Sequence, residues 1–254
     1  MIYITGDCHS DFRRFSTEVF PEQKEMTKED TIIICGDFGG IWYQEDSKYI
    51  KKENYWLDWL EDKPFTTVFV DGNHENFDRL NSYQVKEWNG GKVHEIRPSV
   101  LHLMRGEVFT IEDKKIFAFG GASSHDISDG ILDYEDPDWR EKAKALDKQG
   151  KYMYRIKGLS WWEHELPTEE EMQNGIENLA AHDNKVDFII THSPSASVTA
   201  LLGHGLYEQD RLTKYLEYVR CNNDYVYWVF GHMHDNKQVN QRDILLYEQI
   251  IRIV

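Results

Sequence analysis

With 254 residues, 40% hydrophobic and 29% charged, the chain can bury a full core and has the balance of a globular protein rather than a disordered or fibrous one. No apolar run approaches the roughly 20 residues of a membrane-spanning helix, and Met1 leads straight into Ile2-Tyr3 with no basic leader, so a cytoplasmic protein without a membrane partner is expected. The formal charge of −16 argues against nucleic acid as a partner, because it repels a polyanion at long range, although bound divalent cations would add positive charge that this count omits.

Residues 1–5 open with an apolar, β-branched strand, and 31–35 repeat the pattern. A helix is predicted over 47–60, where Tyr49, Ile50, Trp56, Leu57 and Leu60 recur at helical intervals. Strands follow at 66–70 and 115–119, and their near-continuous apolar residues predict burial on both faces. A helix over 138–149 has Pro137 before it and Gly150 after it. Thr168, with Glu171 three residues on, is a capping box that opens a helix to about residue 182. Strands at 186–190, 225–230 and 244–247 complete the pattern, with a helix at 211–220 between the first two. Strand and helix alternate at both ends of the chain, which predicts an α/β fold. The stretch 122–185 differs: it is rich in Asp, Glu and Trp and has no clear central strand. A single domain, 1–254, is expected, with 122–185 an inserted helical and loop segment that Trp161-Trp162 anchors to the core. Cys8, Cys35 and Cys221 are odd in number and lack metal-type spacing, which points to reduced thiols.

Five strands end in the same vocabulary of Gly, Asp, Asn and His: Asp7-Cys8-His9, Gly36-Asp37, Asn73-His74, Thr191-His192 and His232-Met233-His234. In an α/β sheet the carboxyl ends of neighbouring strands meet at one edge, where such folds place their sites. Residues i and i+2 of an extended segment face one side, so Asp7 with His9, and His232 with His234, can each grip one cation. Glycines at 6, 36, 72 and 231 let the backbone turn sharply there. The set holds more donors than a mononuclear site needs. It suits two metals sharing a ligand, and Asp37 is the natural bridge.

These motifs, in this order from Asp7 to His234, resemble the calcineurin-like metallophosphoesterase superfamily, with its pattern D-x-H, G-D, G-N-H-[DE], H and G-H-x-H. The resemblance implies two facing mixed β-sheets flanked by helices, with the site at their carboxyl edge. It implies that Asp7, His9 and His234 hold a first metal, that Asp37 bridges, and that Asn73, His192 and His232 hold a second. His74 would contact the phosphate as general acid or electrostatic stabiliser. The implied activity is hydrolysis of phosphomonoesters or phosphodiesters, of small-molecule or nucleotide type, by a hydroxide activated between two divalent cations. Mixed imidazole and carboxylate ligation suits Mn, Fe or Zn. For substrate contacts the candidates are Asn73, His74, His125 in the loop after residue 119, and Trp42 beyond the bridging aspartate.

Three other readings are weighed against this one. A serine/threonine protein phosphatase would continue the second motif as G-D-x-V-D-R-G, but Gly40 and Ile41 stand where its aspartate and arginine would be. A nuclease is disfavoured by the acidic balance and by the lack of a basic, aromatic-interleaved stripe. A non-catalytic scaffold would be marked by loss of metal-ligand positions, and here every one is filled. The aromatic insertion could supply a homodimer interface.

Overall fold

A computed structural model describes residues 1–204 and 209–254. One sheet has seven strands in the order β15 (Ile250–Arg252), β1 (Ile2–Thr5), β2 (Thr31–Ile34), β3 (Thr66–Phe69), β6 (Val100–Leu103), β5 (Gly91–Arg97) and β4 (Val85–Trp88). The other has six: β13 (Lys237–Gln238), β14 (Asp243–Leu245), β12 (Tyr227–Phe230), β11 (Phe188–Thr191), β8 (Lys114–Phe119) and β7 (Glu107–Ile111). In each sheet four central strands run parallel and the outer ones antiparallel, so both are mixed.

The period-2 geometry of a strand explains the layering. Ile2, Ile4, Ile33 and Val68 of the first sheet pack against Ile116, Ala118, Ile190 and Val229 of the second, so the two sheets face one another across a shared core. The alternate residues Tyr3, Ile32, Ile34 and Phe69 turn outward onto Phe12, Phe15 and the helix α1 (Ile50–Glu61), through Leu57 and Leu60. On the far side Phe117, Phe119, Ile189 and Trp228 meet α4 (Glu169–Ala181), α5 (Ala196–Leu202) and α6 (Arg211–Asn222). Each central strand is thus buried on both faces, which is why its sequence is apolar at nearly every position. The capping box at Thr168 and Glu171 opens α4.

Two hairpin regions depart from the sequence reading, which placed no strand between residues 70 and 115. β4 lies at a sheet edge with its side chains in solvent, so it carries no apolar pattern. Its turn did carry a signal. Asn89 and Gly90 both have positive φ, 48° and 91°, and join Trp88 to Gly91 as a two-residue hairpin loop. The short helix α2 (Phe77–Leu80) is N-capped by Asn76, which accepts from the Arg79 amide.

Within 122–185, β9 (Gly130–Asp133) and β10 (Tyr154–Lys157) form a separate two-stranded parallel sheet beside α3 (Trp139–Lys148). Trp162 ties this segment to the rest: its ring is buried edge-on against Trp42, and its indole N–H donates to Asp78 at 2.7 Å. Among the described residues no helix is long and apolar enough to cross a membrane.

Candidate metal centre

The loops after β1, β2, β3, β11 and β12 leave the same edge of the sandwich and are bonded to one another. The amides of Cys8 and His9 both donate to the Asp37 carbonyl, at 3.0 and 2.8 Å, and that of Gly231 donates to the His192 carbonyl. Such tight packing forces the chain into unusual backbone conformations. His9, Asp37, His232 and His234 all have φ between 42° and 72°, a strain of the kind that collects at functional sites.

The donor atoms of Asp7, His9, Asp37 and His234 all lie within 4.8 Å of one another and could hold a metal ion. The His9 and His234 Nε2 atoms are 3.0 Å apart, and His234 Nε2 is 3.2 Å from Asp7 Oδ2. His9 Nε2 lies 3.7 Å from Asp37 Oδ2. Beside this cluster are two buried polar atoms with no hydrogen-bond partner among the described residues, Asn73 Oδ1 and His192 Nε2. His192 Nδ1 faces the Cys35 carbonyl at 2.8 Å and must donate to it, so Nε2, 3.3 Å from Asp37 Oδ1, is the nitrogen that would turn a lone pair to a cation once its proton is displaced. Imidazole nitrogen, carboxylate oxygen and a neutral amide oxygen are together a donor set that fits a divalent cation. A second ion would satisfy the two orphaned atoms. His232 stands edge-on to His192, and its backbone amide donates to Asp7 Oδ1 at 3.0 Å.

Without a cation the charges compensate each other. Burial opposes ionisation of Asp37, but the imidazoles of His192, His74 and His9 outweigh it and hold the carboxyl well below the usual range. Burial likewise acts to lower His192, yet Asp37 and Asp7 raise it to about 10. His232 is lowered to about 3 by burial and then by His192. His74 falls to about 4, chiefly through burial, with Arg155 adding to the effect while Asp37 opposes it.

The remaining substrate-contact candidates, Trp42 and His125, divide. Trp42 stacks on the His74 ring, with centroids 5.7 Å apart and planes at 27°, which covers one face of its indole. His125 is exposed, edge-on to His232, and lines a cleft of about 560 Å³ with Ser123, Ser124, Thr199, Asp210 and Met233. Arg14 is turned away from the donors, bonded to Thr5 Oγ1 and the carbonyls of Asp7 and Tyr247. Arg13 pairs with Asp11 in solvent. Glu75, which completes the G-N-H-E run, is fully buried and accepts the amides of Phe38 and Gly39, so it holds the Asp37 loop in place.

Two charged residues at the site are absent from the sequence candidates, and both come from the 122–185 segment. Arg155, on β10, lies 3.3 Å from His74 Nε2 and also bonds the Ser160 and Asn73 carbonyls and Asp126. Glu165 accepts from Ser124 Oγ at 2.6 Å, and Ser124 Oγ in turn is 3.5 Å from the Asn73 amide nitrogen. Burial raises the Glu165 carboxyl to about 8, against the pull of Ser124 and Arg155. A lone arginine in "YMYRIKG" gives no signal of its own, because its role depends on where the insertion folds back.

The sequence model for calcineurin-like phosphoesterases matches residues 1–236. Lariat debranching enzyme A of Xenopus laevis is 26% identical over 140 residues, 51% of this chain and 25% of that protein. The lariat debranching enzyme of Danio rerio is 23% identical over 144 residues, 52% of this chain and 24% of that one. That of Entamoeba histolytica is 28% identical over 102 residues, 36% and 28% of the two chains. The chain thus spans about a quarter of the length of these curated relatives.

Proposed function

The chain belongs to the calcineurin-like phosphoesterases, and from that premise we propose that it hydrolyses a small phosphomonoester or phosphodiester, nucleotides included, with two divalent cations of Mn, Fe or Zn type. One observation carries the reading: four convergent donors from Asp7, His9, Asp37 and His234 stand beside two buried atoms, Asn73 Oδ1 and His192 Nε2, that have no hydrogen-bond partner among the described residues. Asp7, His9 and His234 would hold one ion, Asn73, His192 and His232 the other, and Asp37 both. When bound, such a pair supplies Lewis acidity and an activated water. The protein's own work is positional. The Cys35 carbonyl sets the His192 tautomer, the amide of His232 orients Asp7, and the His74 amide donates to Asp37 Oδ1 at 2.9 Å. His74 would meet the phosphate at the edge of this cluster. The three cysteines are free thiols, which suits a reducing compartment such as the cytosol.

Cleavage of a diester is favoured over a monoester by one finding, the debranching activity in the relatives' names. The deciding experiment compares p-nitrophenyl phosphate with bis(p-nitrophenyl) phosphate under added Mn²⁺, Fe²⁺ or Zn²⁺. Metal-dependent turnover, removed by chelation and stronger on the diester, is expected. No turnover on either ester with any of the three metals would overturn the proposal.

The same reading predicts a large effect from a small substitution. A Cβ at Gly231 would lie 2.1 Å from Asp7 Oδ1 and 2.8 Å from the Cys35 carbonyl, so Gly231→Ala must displace the Asp7 carboxylate. Its affinity for Mn²⁺ should fall by ~10-fold or more, the scale of a disturbed ligand orientation. Titration calorimetry tests this, and an unchanged affinity would mean that Asp7 is not a ligand.

A further inference from the structure

We propose that Arg155 is a phosphate-contacting residue of this site, which holds His74 in one tautomer and offers an N–H beside it to a substrate oxygen. The proposal rests on the phosphoesterase reading above. A guanidinium carries five N–H donors and no acceptor. In Arg155 one of these donates to Asp126 Oδ1, two to the carbonyls of Ser160 and Asn73, and one to His74 Nε2. The fifth, on the nitrogen that faces His74, has no protein partner among the described residues. Because the guanidinium can only donate, His74 Nε2 must accept and the ring proton sits on Nδ1. While this contact lasts, the cation at this end of the cluster is Arg155 and not an imidazolium.

The arginine is held for this position. Its side chain is nearly buried, and Glu165 on the same inserted segment approaches its guanidinium at 3.9 Å. Glu165 also bonds Ser124, whose Oγ reaches the Asn73 amide. The inserted segment thus delivers both the charge beside His74 and a support for Asn73. Arg14 and Arg105, also tied to these strand ends, are turned to backbone carbonyls and to Asp71 instead. A guanidinium with a planar fork and a spare donor is suited to a phosphate oxygen.

A purely structural staple would leave phosphate binding untouched, so the test is calorimetric titration of the Mn²⁺-loaded protein with inorganic phosphate. Arg155→Gln and Arg155→Lys are compared with wild type, with metal content and thermal midpoint read on the same samples. Phosphate should bind Arg155→Gln ~10- to 100-fold more weakly at equal metal content, the range for losing one hydrogen bond to a charged group. Arg155→Lys, which keeps the charge without the fork, should recover part of this loss. In nitrogen-15 spectra of the metal-free wild type, His74 should carry its proton on Nδ1. Equal phosphate affinity in wild type and variant, no phosphate binding by either, or a proton on Nε2 would each overturn the proposal. Should Arg155→Gln fail to fold, Arg155→Lys and the wild-type spectrum decide the same question. If phosphate binds through Arg155 but no ester is turned over, the hydrolase reading falls and the assignment of Arg155 stands.

Discussion

Asp37→Asn is expected to reduce ester hydrolysis by ~10³-fold or more, the loss that follows when several kcal/mol of metal-borne transition-state stabilisation is removed. Asp37 stands between the two candidate ion positions: Oδ1 is 3.3 Å from His192 Nε2, and Oδ2 is 3.7 Å from His9 Nε2. Asparagine keeps the shape, and the backbone carbonyl that holds Cys8 and His9 is untouched. What changes is one negative charge and one set of lone pairs, both of which a shared cation needs. The variant should therefore fold, bind less than two equivalents of Mn²⁺ and gain less thermal stability from the metal than wild type does. Metal-free, it should also be somewhat less stable at neutral pH. The wild-type carboxyl is held below its usual range despite burial, chiefly by His192. A group depressed in this way stabilises the fold above the ordinary aspartate value near pH 4, and loses that contribution as the pH falls. Metal analysis, melting curves with and without Mn²⁺, and turnover on the preferred ester check all three statements. Wild-type turnover with full metal content would remove Asp37 from the mechanism.

Much of the fold was legible because of one physical circumstance. The strands that carry the candidate donors are buried on both faces, so they stand out as apolar runs, and their polar ends stand out against them. Ile2–Thr5, Thr31–Ile34 and Thr66–Phe69 sit within a residue of their expected bounds. The strands β4 to β7 lack such a signature: β4 is exposed and carries no apolar run, although Asn89-Gly90 marks its turn. Arg155 and Glu165 were illegible for a different reason. Asp7, Asp37 and Asn73 each follow an apolar strand in sequence, whereas these two meet the strand ends only because Trp162 docks the insertion beside Trp42. The structure also gives Trp42 a specific neighbour. The sequence offers it as a candidate substrate contact, and in the fold its ring lies on that of His74.

The largest effect on stability is expected at a buried ion pair just behind the site. Asp71 ends the β3 segment two residues before Asn73 and is 1% exposed. Arg105 donates to it through Nε at 3.0 Å and Nη2 at 2.5 Å, and also reaches Glu171 and the His164 carbonyl. His102 Nε2 lies 3.0 Å from the same carboxylate, and its Nδ1 is 2.9 Å from that of His94. Arg105→Met removes the charge while keeping an unbranched side chain, and leaves Asp71 buried with only imidazole support. Breaking such a pair costs about 3–5 kcal/mol, which in a chain of this size lowers the thermal midpoint by roughly 10 °C. The pH dependence has a definite sign. Burial opposes the charged form of Asp71, yet Arg105 and His102 overcome it and hold the carboxyl below its usual range. The stabilisation is therefore complete above about pH 4 and is lost as the pH falls below it. Without Arg105 burial prevails and the carboxyl rises, so that protonating it favours the folded state: the deficit of Arg105→Met against wild type should be largest near neutral pH and shrink as the pH falls through the aspartate range. Adding Asp71→Asn removes the uncompensated charge, so the double variant should recover part of the loss. Thermal and acid denaturation of the two single variants and the double variant, read as a cycle, provide the check. A double variant no more stable than Arg105→Met would show that the cost lies in packing around the arginine stem and not in the stranded carboxylate.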